Sequence, residues 1–116
     1  MGGYSEKMSM NYFFDKDIEA FDLSDKSKRK TIAHGKNLTT CHLYFEAGGI
    51  GEPHKHPQTQ VTIILSGRFE FTLNGDTVLL SSGDSVYIPD NAEHSLVCLE
   101  KGELIDVFTP EREDLI

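Results

Sequence analysis

Two imidazoles stand at His54 and His56, separated only by Lys55. In an extended chain, residues two apart project to one face, so the rings converge. Neutral imidazoles brought together in this way suit a divalent first-row metal. Pro53 and Pro57 bracket the pair and keep the segment extended. Gln60, four residues past His56, offers an amide oxygen as a neutral ligand, with Gln58 as the fallback of matching strand parity. His94 opens a later run just after Pro89-Asp90-Asn91-Ala92. Three histidines and an amide make an open site, with positions left for water or substrate. His34 and His42 are expected to be solvated or hydrogen-bonded, although His42 could line a cavity.

A second candidate group lies near the end of the chain. Leu104-Ile105-Asp106-Val107-Phe108 is apolar at both strand parities, which places Asp106 inside a core strand. A buried carboxylate is costly unless it is paired or protonated. The plain reading is an acid that accepts backbone N–H bonds. The sharper reading is a cavity-facing general acid/base. Phe108 shares its face and would form an apolar wall. Arg112 is the one cation within Glu111–Asp114, and alone it reads as a partner in a surface ion pair.

Strands must position these groups. Thr39–Glu46 alternates, with Cys41, Leu43 and Phe45 on one face. Val61–Leu65, Arg68–Leu73, Val78–Leu80, Ser85–Pro89, His94–Leu99 and Leu104–Thr109 follow, separated by turn residues. Asn74-Gly75 is the strongest hairpin signal among them. About eight short strands with closely spaced turns predict an all-β antiparallel sandwich or small barrel. Residues 1–30 are read as a lead-in, floppy over 1–11 and then a loop with one helical turn. The barrel is expected over 31–110 and a short C-terminal turn over 111–116, with Thr109-Pro110-Glu111-Arg112 looking helical, Thr109 as its cap and Pro110 at the first helical position. Ser27-Lys28-Arg29-Lys30 reads as a solvated basic face.

The composition bounds the function. A chain of 116 residues supports one core and one domain. Its net charge of −8, from 19 acids against 11 bases, argues against nucleic acid and anionic membrane surfaces as partners. Any anionic substrate then needs a local cation or metal. The start, Met1-Gly2-Gly3-Tyr4-Ser5-Glu6, lacks the cationic and apolar regions of a signal peptide, so the cytoplasm is expected. No apolar run is long enough to span a membrane. Cys41 and Cys98 read as two buried free thiols.

At the histidines the chain resembles the cupins. Gly48, His54, His56, Gln60 and Gly67 fit the spacing G-x5-H-x-H-x3-E-x6-G, with Gln60 at the usual glutamate. Gly83, Pro89 and His94 fit G-x5-P-x-G-x2-H-x3-N, with Asn91 at the glycine and Cys98 at the asparagine. The resemblance implies a jelly-roll barrel (a double-stranded β-helix) in a single domain. From about Tyr12 to Ile116 the chain is similar to the small KdgF-type cupins of pectin and alginate breakdown. Ser66-Gly67-Arg68-Phe69-Glu70-Phe71 and the stretch from Leu104 to Asp114 carry that likeness.

This resemblance implies one divalent metal ion held by His54, His56, Gln60 and His94. Its identity (Ni, Fe, Mn, Zn or Co) is left to availability rather than to these ligands. It implies Asp106, Phe108 and Arg112 as catalytic residues, a small anionic sugar as substrate, and a homodimer. The implied reaction converts cyclic 4,5-unsaturated monouronates to linear keto sugars. Two other readings remain: a metal-dependent cupin dioxygenase, and a non-enzymatic cupin that only binds a small molecule.

Overall fold

The structure is a computed structural model, and it describes residues 11–116. The expected floppy lead-in therefore falls, apart from Asn11, outside the described residues. Eight strands form one antiparallel sheet: β1 (Phe21–Ser24), β2 (Ser27–Gly35), β3 (Leu38–Phe45), β4 (Ile50–His54), β5 (Thr59–Leu73), β6 (Asp76–Ser81), β7 (Ser85–Ile88) and β8 (His94–Thr109).

Two long strands organise the sheet. The order β1-β2-β3-β8-β5-β6 is joined by β4 on β8 and by β7 on β5. The late half of β8 pairs with β3 and its early half with β4. The early half of β5 pairs with β7 and its late half with β6. Each long strand thus serves two layers and bends between them. The β5–β8 register shifts between Ile64 and Phe69, where the bend falls. Gly67 and Gly102 meet there. A Cβ on Gly67 would stand 2.6 Å from the Gly102 Cα, and one on Gly102 would run into the Ser66 carbonyl. Ser66-Gly67 and Glu100-Lys101-Gly102 read as turns in sequence but are the crossing point of two continuous strands.

The alternation in β3 is real: Cys41 and Phe45 are buried and Leu43 packs against the core, while His42 and Tyr44 face outward. The core joins Phe45, Ile64, Phe69, Phe71, Leu80, Ile88 and Leu104. Asn74 and Gly75 take positive φ of 48° and 88° between Leu73 and Asp76, as a two-residue hairpin requires. Both cysteines are buried and free.

Two local expectations change. A single helical turn does form at Asp15–Asp17, but β1 and the start of β2 then occupy 21–30, where a loop was expected. Every residue of β1 is exposed, so it carries no buried face for alternation to reveal. Its order comes from backbone pairing to β2, which itself pairs with β3. The final turn is at Glu113–Leu115, not at Pro110. The chain bends at Pro110 and is extended again at Arg112, whose backbone N–H donates to Thr39 Oγ1 at 2.9 Å.

Candidate metal centre

Strand ends and one short segment assemble the site. His54 closes β4 and pairs across with His94, the first residue of β8. His56 lies in the extended link that follows β4, and Gln60 sits near the start of β5. The ring centroids of His54, His56 and His94 lie 4.3 to 5.7 Å apart. One nitrogen from each ring falls within 4.8 Å of the other two. His56, Gln60 and His94 are buried, while His54 is exposed at the cavity edge.

The backbone fixes each ring. Nδ1–H of His54 donates to the Glu52 carbonyl at 2.8 Å, that of His56 to Gln58 at 3.0 Å, and that of His94 to Ala92 at 2.9 Å. A carbonyl only accepts, so Nδ1 carries a proton in all three rings and Nε2 is the nitrogen left to meet a ligand. Burial holds the His56 imidazolium below the ordinary histidine range and pushes His94 down to about 4. Both rings are therefore neutral near pH 7. Gln58 acts through its backbone, and its side-chain amide donates to the Glu111 carbonyl at 3.2 Å, so it is not the fallback ligand.

Gln60 is fixed as firmly. The Thr62 hydroxyl donates to Asp106 Oδ1 at 2.6 Å, which leaves its oxygen to accept from Gln60 Nε2 at 2.9 Å. The Gln60 carbonyl oxygen then points at His56 Nε2, 2.8 Å away. Both atoms offer lone pairs, which is unfavourable unless a cation lies between or beside them. His94 Nε2 is likewise buried with no hydrogen-bond partner. Three lone pairs that lack donors are what a divalent ion satisfies. The residues present therefore fit a metal held by His54, His56, Gln60 and His94, with no charged ligand.

The same cavity, of about 650 Å³, also takes in Asp106, Phe108 and Arg112. Cross-strand rows place them. Asp106 stands between Cys41 on β3 and Thr62 on β5; Phe108 stands between Thr39 and Gln60. Asp106 accepts from a side chain facing the cavity, and burial raises its carboxyl to about 6, although Thr62 partly offsets this. The Phe108 ring packs edge-on to His56 at 5.4 Å and lies 5.0 Å beneath the Arg112 guanidinium. Arg112 Nε and Nη2 donate to the two oxygens of Asp114 at 3.2 and 2.6 Å, so one edge of its fork is already engaged.

His42 lies elsewhere: it stacks on Tyr44 at 4.2 Å and bonds Glu103 on the outer face. His34 packs beside Phe13. Asn91, at the glycine of the motif, takes a positive φ of 59° and supplies the left-handed turn that glycine would. Two residues of the cavity were missed by sequence reasoning. Thr62 links Gln60 to Asp106, and its signal was its parity with Gln60 on one strand. Arg29 lines the cavity rather than a solvated face. Its register opposite the inward-facing Leu43 could have shown this.

Comparison with known proteins agrees with this geometry. The cupin domain model matches residues 41–108, and the chain belongs to the cupin family. Within it, the chain is 36% identical over 107 residues to the pectin degradation protein KdgF of Dickeya dadantii, spanning 90% of this chain and 97% of that one. The solved structure of KdgF from Halomonas sp. superposes with a TM-score of 0.86 at 31% identity, covering 91% of this chain and 98% of that one. An RmlC-like cupin from Shewanella frigidimarina gives a TM-score of 0.87 at 31% identity, over 93% and 97%.

Proposed function

We propose that this protein is a metal-dependent enzyme that opens cyclic 4,5-unsaturated monouronates, the products of pectin and alginate lyases, to linear keto sugars. The observation that carries the reading is the placement of Asp106 in the same cavity as His54, Gln60 and His94, beside the three-histidine cluster. The KdgF likeness over nearly the whole chain supports it.

The chemistry fits the residues. Such a substrate is a cyclic enol ether. Opening it breaks the bond between C1 and the ring oxygen and turns the C1 hydroxyl into an aldehyde. The ring oxygen keeps the electron pair, and a proton delivered to C4 leaves a ketone at C5. One proton therefore leaves an oxygen and one reaches a carbon. A divalent ion with only neutral ligands keeps its full charge and would stabilise the oxygen that gains electrons. Asp106, with its carboxyl near neutrality, both accepts and returns a proton at working pH. Thr62 donates to Oδ1, and Gln60 is a second side chain that bonds the carboxyl. Phe108 gives an apolar wall for the ring and limits water. Arg112 adds positive charge toward the substrate carboxylate.

The metal-loaded protein is expected to accelerate loss of the ultraviolet absorbance of freshly made unsaturated monouronate. No acceleration would overturn the reading. Asp106→Asn is expected to abolish turnover with bound metal unchanged, and an active variant would remove Asp106 from the mechanism. The reading includes a cytoplasmic homodimer, for which light scattering on the purified protein is the test. No helix among the described residues is long and apolar enough to cross a membrane.

A further inference from the structure

The chain has three arginines, Arg29, Arg68 and Arg112. Arg68 pairs with Glu100 at 3.2 Å and Arg112 with Asp114 at 2.6 Å. Arg29 pairs with nothing: among the described residues its guanidinium has no ion-pair partner, and its Nε is buried with no hydrogen bond. This happens in a chain with 19 acids and a net charge of −8, so acidic partners are not scarce. Burying an unsatisfied cationic donor is costly, and folding alone gives no return for it.

The register shows where Arg29 points. It stands opposite Leu43 on β3, which stands opposite Leu104 on β8, itself beside Ile64 on β5. Leu104 and Ile64 are fully buried and Leu43 packs against them, so Arg29 shares their inward face. The next row on that face is Cys41, Asp106 and Thr62. The guanidinium therefore enters the cavity one row from Asp106, and it lines the same space as His54, Gln60, His94 and Arg112. Asp106 does not take it as a partner, being bonded to Thr62 instead.

We propose that Arg29 binds the carboxylate of an anionic sugar in the metal cavity and so positions it for reaction. The fork of Arg29 is free, whereas one edge of Arg112 is filled by Asp114. Lys26, Arg29 and Arg112 line the cavity along with the acids Asp25, Glu52 and Asp106, so attraction for an anion is local to the unpaired guanidinium. A planar guanidinium matches a carboxylate with two parallel hydrogen bonds. Resting on the uronate reading, the assignment also orients the substrate. The carboxylate is carried by C5, so anchoring it fixes C4, the carbon that receives the proton, relative to Asp106.

The test uses the metal-loaded protein, with galacturonate as a saturated acidic probe and galactose as its neutral counterpart. Calorimetry is expected to show that the unaltered protein prefers galacturonate. Arg29→Gln should weaken galacturonate binding by about ten- to a hundredfold and leave galactose unchanged. Arg29→Lys should recover part of the loss. With unsaturated monouronate, Arg29→Gln should raise KM far more than it lowers kcat. Equal galacturonate affinity in Arg29→Gln, or an equal loss for galactose, overturns the assignment, as does an unaltered protein that does not discriminate the two sugars. Discrimination without turnover would instead sink the ketonisation reading and leave Arg29 as an anion anchor. Should Arg29→Gln not fold, Arg29→Met carries the same comparison with a side chain of similar reach.

Discussion

Asp106 sits among Thr62, Cys41 and the cavity wall, and burial lifts its carboxyl from 3.8 to about 6. The folded protein therefore binds a proton more readily at this position than the unfolded chain does. Between about pH 4 and 6 the native state holds the extra proton, so this group's contribution to stability is present at the acid end and is lost as pH rises. In the metal-free protein, Asp106→Asn is expected to flatten that slope. It should also gain roughly 1–3 kcal/mol at pH 7.5, a value set by the energy of one pKa unit and reduced because the group opens onto the cavity. Paired thermal melts at several pH values would check both. Gln60 invites the opposite exchange. Gln60→Glu adds a charged ligand but removes the N–H that Thr62 accepts. Metal should resist chelator more strongly, while turnover falls roughly tenfold or more, the scale on which supporting partners of a metal site count.

At the scale of elements, β5 and β8 are the backbone of the site: between them they carry Gln60, Thr62, His94, Asp106 and Phe108. Their bend needs two glycines face to face. Gly102→Ala would drive a methyl group into the backbone of Ser66 and Gly67, and Gly67→Ala would add strain from its φ of 82°. Each is expected to cost roughly 2–4 kcal/mol in denaturant melts. Much of this frame was legible in sequence. Alternation gave the faces of β3 and of the late half of β5 over Arg68–Leu73, though not of its early half, where Ile63 and Leu65 are exposed, and Asn74-Gly75 gave the hairpin. The continuity of the long strands was not legible, because Gly67 and Gly102 carry the same signature in a crossing as in a turn. Nor was β1, exposed at all its positions. Spacing brought His54, His56, Gln60 and His94 forward as candidates, and the cupin resemblance joined them into one set. Thr62 and Arg29 could not be read this way, since an ordinary strand threonine and an arginine in a basic run acquire meaning only from the residues paired beside them.

The whole molecule carries a net charge of −8, yet it turns two arginines toward a cavity that His54 and His94 also line. On the proposed reading, the acidic exterior would repel larger polyanions while the cavity arginines attract a small acid. A metal that binds only the folded state stabilises it by mass action. At a hundredfold excess over its dissociation constant the gain is about 2.7 kcal/mol. Chelation followed by dialysis should lower the melting temperature, and adding the ion back should restore it. No change in either direction would mean that the histidine cluster holds no metal.

Each imidazole is tethered to a carbonyl of its own neighbourhood rather than to another ring. The three Nδ1–H protons are therefore tied into local hydrogen bonds that hold whether or not an ion is bound, and they become a built-in reporter. Proton NMR should resolve three low-field ring signals in the resting protein. Loading the site with a paramagnetic ion such as Co²⁺ should displace those three together, and much farther than the amide signals of strands remote from the ion.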